Sequence, residues 1–93
     1  MLYEKERQEV VDTCLFMVEE NLVVGTAGNV SIRIGDHVVI SPSGVDYATM
    51  TAKDVVVYDM AGNRVDGDLK PSSELPLHIA VYEATDAQAI THN

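Results

Sequence analysis

Val30-Ser31-Ile32-Arg33-Ile34-Gly35-Asp36-His37-Val38-Val39-Ile40-Ser41 is the stretch that decides the fold. Val30, Ile32 and Ile34 alternate with Ser31 and Arg33, a period of two that predicts a strand with one buried face. Gly35-Asp36 puts glycine at the first position of a two-residue connection, as a type II′ turn requires. His37 to Ser41 is then the returning strand, and Pro42-Ser43-Gly44 breaks it. The stretch predicts an antiparallel hairpin.

Upstream, Val10, Val11, Cys14, Leu15 and Val18 recur at helical spacing between about Tyr3 and Glu20. Glu6, Arg7, Glu9, Glu19 and Glu20 are assigned to the other faces of this helix. It should end near Asn21, a residue that tolerates the left-handed C-terminal turn. Gly25-Thr26-Ala27-Gly28-Asn29 then forms a loop of small residues.

Downstream, Thr51-Ala52-Lys53-Asp54 has the form of a capped single helical turn. Val55 to Tyr58 is a short apolar strand, turned by Ala61-Gly62-Asn63 into Arg64-Val65, and Asp66-Gly67-Asp68 turns again. After Pro71, Leu77, Ala80, Val81 and Ala84 predict a second amphipathic helix with Ser72 or Ser73 as its cap. Pro76 falls in its first turn, where a missing N–H costs little. Ala87 to His92 reads as a last strand. Helix, hairpin strands, helix and strand in this order predict an α+β fold with a mainly antiparallel sheet flanked by helices.

Ninety-three residues allow one small domain at most, and a chain of this length buries only roughly 60–68% of its unfolded surface. Fifteen acidic against six basic residues give a net charge of −9. That charge repels nucleic-acid phosphates and anionic membranes, so neither is an expected partner. The acids are scattered, as on a solvated surface rather than an interaction tail. Cys14 is the single cysteine, which rules out an internal disulfide and a Cys-rich zinc site and predicts a buried small hydrophobe. No apolar stretch approaches the ~18 residues of a membrane span. The N-terminus lacks a basic-then-apolar signal pattern, so a reducing cytoplasm is the expected location.

Three small-residue loops carry the candidate chemistry: residues 25–29, Ser41-Pro42-Ser43-Gly44 and Pro71-Ser72-Ser73. Each alone is an ordinary turn. Together they offer unobstructed backbone N–H groups, hydroxyls and a helix N-terminus, by which an acidic protein can still hold a phosphate. Glu74, at the first or second helical position, reads either as a partner of the helix dipole or as a general acid/base beside that cradle. His78, four residues on, reads as a surface or packing residue, with support of Glu74 as the alternative. His37 reads as structural. His92 closes an apolar strand, where a core role competes with metal ligation. Glu74 and His92 make two ligands, one short of the three that a catalytic zinc generally takes from protein.

Gly25-Thr26-Ala27-Gly28-Asn29-Val30-Ser31, Ser41-Pro42-Ser43-Gly44, Pro71-Ser72-Ser73-Glu74 and Thr91-His92-Asn93, in this order and spacing, resemble the class II aldolase/adducin family. The resemblance spans nearly the whole chain. It implies α/β/α layers and a four-fold homotetramer. It also implies a zinc ion (Zn2+) that steadies an enediolate while a phosphorylated sugar substrate is split. The substrate would be a ketose 1-phosphate such as L-fuculose 1-phosphate, and the products dihydroxyacetone phosphate and an aldehyde. Gly28, Asn29, Ser43, Gly44, Ser72 and Ser73 fall on the family's phosphate-binding positions. Glu74 falls on the acid that moves protons and can touch the metal, and His92 on the first histidine of a His-x-His pair.

Ser43 stands where the nearest aldolases often carry threonine, which keeps the hydroxyl. Ser41 to Tyr47 also looks like the related L-ribulose-5-phosphate 4-epimerases, but those tend to have Asp at Glu74 and His-Thr-His at His92-Asn93. Both differences favour an aldolase over an epimerase, and a sugar-phosphate dehydratase of the same family is a further alternative. Retention of Glu74, His92 and the serine pair argues against a non-catalytic, adducin-head-like interaction module. Family members are considerably longer. Residues 1–93 are therefore expected to be the N-terminal part of an aldolase-like domain, inactive alone, with the remaining ligands beyond Asn93.

Overall fold

In the computed structural model, which describes residues 1–23 and 27–92, two helices sandwich one five-stranded sheet. The loop positions Gly25 and Thr26, together with Asn93, lie outside the described residues. Helix α1 spans Glu4–Glu19, followed by strands β1 (Asn29–Ile34) and β2 (His37–Ile40). A single 3-10 turn at Ala52–Asp54 leads into β3 (Val56–Asp59) and β4 (Arg64–Asp66). Helix α2 (Leu75–Ala84) and β5 (Ala89–His92) complete the order. The strands lie β4-β3-β2-β1-β5 and every ladder is antiparallel. The α+β layering read from the sequence is the observed one.

The hairpin forms where expected. Ile34 pairs with His37 across Gly35-Asp36, with Gly35 at φ 58° and Asp36 outside the positive-φ region. Asn21, at φ 58°, closes the end of α1 as its residue type suggests. At the 3-10 turn, the Thr51 N–H donates to Asp54 Oδ2 at 3.0 Å and the Thr51 hydroxyl to the same oxygen at 3.3 Å.

Strand parity sends alternate residues to opposite faces. Val30, Ile32, Ile34, Val39 and Val57 pack under Val10, Val11, Cys14 and Met17 of α1. Val38, Ile40, Val56, Tyr58 and Ile90 pack under Leu75, Ile79 and Tyr82 of α2. The sheet is thus buried on both sides, which corrects the single buried face expected from β1. Ser31 is fully enclosed, and Arg33 donates from Nη1 to the Tyr82 carbonyl at 2.8 Å. These polar residues face α2 and are satisfied there.

Two helix faces also differ from expectation. Arg7, assigned to the solvent side of α1, is buried, donating to the carbonyls of Leu2 (2.6 Å) and Val55 (2.7 Å) and to Asp66 (2.5 Å). In α2 the buried residues are Leu75, His78 and Tyr82, while Leu77 is 47% exposed and Ala80 and Ala84 face solvent. Helix α2 also starts later than predicted, with Glu74 as the residue before it and Pro76 in its first turn. The Ser72 hydroxyl does accept the Glu74 N–H at 3.2 Å, bracing the turn that leads in. Among the described residues, no helix is long and apolar enough to cross a membrane.

Candidate active site

The antiparallel hairpin places the start of β1 and the end of β2 at one end of the sheet. Two backbone hydrogen bonds bring the third loop there: Ser43 N–H to Lys70 O and Ser72 N–H to Ser41 O, both at 2.9 Å. A bridge between Pro42 and Pro71 marks the same seam. The result is a pocket of about 310 Å³ lined by Ala27, Gly28, Asn29, Pro42, Ser43, Gly44, Ser72, Ser73 and Glu74. Six residues proposed for phosphate and the proposed acid therefore share one cavity. Among the described residues, Glu74 is the only ionisable group in its wall, so their attraction for an anion comes from amides, hydroxyls and the Asn29 side chain.

Each wall is held from behind. Gly28 takes φ 83°, and a Cβ there would sit 2.6 Å from Val23 Cγ1 and 3.1 Å from the His92 carbonyl oxygen. The Tyr47 hydroxyl donates to Gly28 O at 2.5 Å, and the Ser41 hydroxyl accepts the Val30 N–H at 3.1 Å. Burial, with a smaller contribution from the neighbouring Cys14, pushes the Tyr47 phenol up to about 12. Burial likewise pushes the Cys14 thiol up to about 12, so it is a neutral packing group as the sequence suggested. His37 accepts or donates a 2.8 Å hydrogen bond with the Tyr3 hydroxyl, far from the pocket wall, and is structural as expected.

Of the surface and packing roles expected for His78, the structure shows the buried one. It is 1% exposed and bonded through Nε2 to Asn29 Oδ1 and through Nδ1 to Ser31 Oγ at 2.6 Å. Ser31 Oγ in turn meets the Tyr82 hydroxyl at 2.7 Å. Its link to Glu74 is a backbone one, His78 N–H to Glu74 O at 3.0 Å. Burial holds the imidazole below its usual pKa, His92 adds to that, and Glu74 opposes it. Ser31 and Tyr82 had no role in the sequence reading. The usable signal was the spacing of His78 and Tyr82, four apart and hence on one helical face with Leu75 nearby.

His92 pairs with Asn29 across the β1–β5 ladder, which puts it at the pocket end of the sheet but outside the pocket wall. Its side chain is exposed. Among the described residues, no three His, Cys, Asp or Glu side chains gather as a metal cluster. Glu74 and His92 are the right donor types for zinc, and they are too few to close a site by themselves.

Residues 8–93 match the model of the class II aldolase and adducin N-terminal domain. The chain is 42% identical over 90 residues to the L-fuculose phosphate aldolase of Escherichia coli K12, covering 96% of this chain and 41% of that protein. It is 41% identical over 95 residues to the 5-deoxy-D-ribulose 1-phosphate aldolase of Bacillus thuringiensis, covering 99% of this chain and 45% of that one. A solved L-fuculose 1-phosphate aldolase superposes with a TM-score of 0.92 at 35% identity, over 98% of this chain and 44% of its own. The chain thus spans less than half the length of each of these three relatives. With its sheet, its three converging loops and these matches, the chain belongs to the class II aldolase and adducin family, as the N-terminal portion of that fold.

Proposed function

We propose that the chain supplies the phosphate cradle and the proton-transfer acid of a sugar-phosphate aldolase. The observation that carries this reading is the convergence of Gly28, Asn29, Ser43, Gly44, Ser72 and Ser73 on one pocket with Glu74 in its wall. The printed names of the similar proteins, aldolases of sugar 1-phosphates, support the reaction class. The substrate is a ketose 1-phosphate, with L-fuculose 1-phosphate the first candidate, and the products are dihydroxyacetone phosphate and an aldehyde.

The pocket's amides and hydroxyls hold the phosphate, whose binding energy fixes the reacting carbons relative to Glu74. Cleavage of the carbon–carbon bond removes a proton from the hydroxyl of the departing aldehyde and returns one to the carbon of the ketone fragment. Glu74 is the group placed to exchange a proton with the substrate. We assign Glu74 and His92 as part of a zinc site completed by the rest of the protein. Zinc, when bound, supplies positive charge against the oxygen that gains electrons. The same reading makes residues 1–93 part of a longer aldolase-like domain, without turnover alone, in a cytoplasmic homotetramer.

The test is aldolase assay of the whole protein with L-fuculose 1-phosphate, with and without zinc. Glu74→Gln should lower kcat by about 10²–10⁴-fold with a much smaller change in KM. Equal turnover of the variant, or no cleavage of any ketose 1-phosphate by the wild type, would sink the assignment.

A further inference from the structure

Behind the pocket, three hydrogen bonds run in series from Tyr82 through Ser31 and His78 to Asn29. All four side chains are at least nine-tenths buried. Protons in such a series can be counted. If Asn29 presented its NH2 to His78 Nε2, the ring would carry its proton on Nδ1 and donate to Ser31. The Ser31 and Tyr82 hydroxyls would then share one remaining link, and one buried O–H would have no acceptor. An imidazolium, donating at both nitrogens, leaves the same orphan. A buried donor left without an acceptor keeps its whole desolvation penalty, so both arrangements are disfavoured.

Only one arrangement uses every proton. Tyr82 donates to Ser31, Ser31 donates to His78 Nδ1, and His78 Nε2–H donates to Asn29 Oδ1. The Asn29 NH2 is then turned away from the network. Among the described residues it has no protein partner and is not fully enclosed, and Asn29 is one of the residues that line the pocket. We propose that Tyr82, Ser31 and His78 form a one-way donor chain that sets the Asn29 amide with its NH2 facing the pocket, as a positioning device for an anion's oxygen. The identity of the anion as phosphate rests on the function proposed above. The orientation rests on the proton count alone.

Two measurements on the intact chain separate these. Long-range proton–nitrogen correlation spectra report which imidazole nitrogen of His78 carries the proton, and a Nε2–H tautomer is expected. A Nδ1–H tautomer in the wild type would overturn the chain. Titration with inorganic phosphate then reads the consequence. Ser31→Ala removes the donor to Nδ1, should reduce the Nε2–H population and should weaken phosphate binding about tenfold, or about 1.4 kcal/mol. Tyr82→Phe leaves the Ser31 hydroxyl free to donate and should change affinity by less than about threefold. A folded Ser31→Ala variant with wild-type tautomer and affinity would refute the proposal. If the wild type binds no phosphate, the phosphate reading fails, and the wild-type tautomer still supports or overturns the orientation.

Discussion

At the scale of single residues, Gly28 shows how one position joins stability to the site. Its left-handed backbone and its approach to Val23 both exclude a side chain, and its carbonyl is fixed by Tyr47. Gly35 makes the contrast, since it too has positive φ but open space around it. Alanine at Gly35 should therefore cost about 1–2 kcal/mol, the price of the backbone alone. Gly28→Ala adds overpacking of about 1–3 kcal/mol to a similar backbone cost. Denaturant unfolding of the two variants should rank them in that order, and equal losses would mean that Val23 yields without cost. The sequence marked Gly28 as a loop residue and, through the family resemblance, as a phosphate-binding position. The reason it must be glycine lies in Val23 and in β5, 64 residues further on, which no local pattern exposes.

At the scale of elements, the legible and the hidden divide along the sheet's two faces. Hairpin β1–β2 was legible because its turn residue and its alternation are both local signals. The second buried face was not, because Asn29, Ser31 and Arg33 are polar, and Asn29 and Ser31 become buried, and Arg33 partly so, only through partners on α2 about 50 residues away. The same hidden network reversed the reading of α2. Its apolar residues Leu77, Ala80, Val81 and Ala84 suggested one stripe, whereas His78 and Tyr82 occupy the buried side because Ser31 and Asn29 lie beneath them. Leu77→Glu should accordingly change unfolding free energy by no more than about 0.5 kcal/mol, as for an ordinary surface position. A loss of about 2 kcal/mol or more in a melt of the isolated chain, the range for core truncations, would restore the original face. For the site, residue types and loop order were legible, and convergence on one pocket follows from the Ser43–Lys70 and Ser41–Ser72 backbone bonds.

At the scale of the whole molecule, Arg7 ties the first helix to the far edge of the sheet. Its guanidinium holds the Val55 carbonyl, just before β3, and the Asp66 carboxylate at the end of β4. Asp66 also accepts from the backbone N–H groups of Gly67 (3.0 Å) and Leu2 (3.3 Å). Those backbone bonds first, and then the Arg7 charge, hold its pKa below the usual carboxylate value. A carboxylate whose pKa is lower folded than unfolded stabilises the fold fully above the unfolded value, about 3.9. That contribution disappears as pH falls through the lower folded value, where the folded state must take up a proton it holds poorly. Since Asp66 is 41% exposed, solvent and salt screen the pair, and its bonds with backbone N–H groups are the part that persists at high ionic strength. Asp66→Asn removes the titrating group while leaving Arg7 buried. The variant should be less stable than wild type at pH 7, and the gap should narrow steadily as pH drops below about 4. Equilibrium unfolding from pH 7 to pH 2 measures the gap directly. A difference that stays constant over this range would mean that Asp66 contributes shape rather than charge, and that α1 is held to the sheet by Val55 and the apolar core alone.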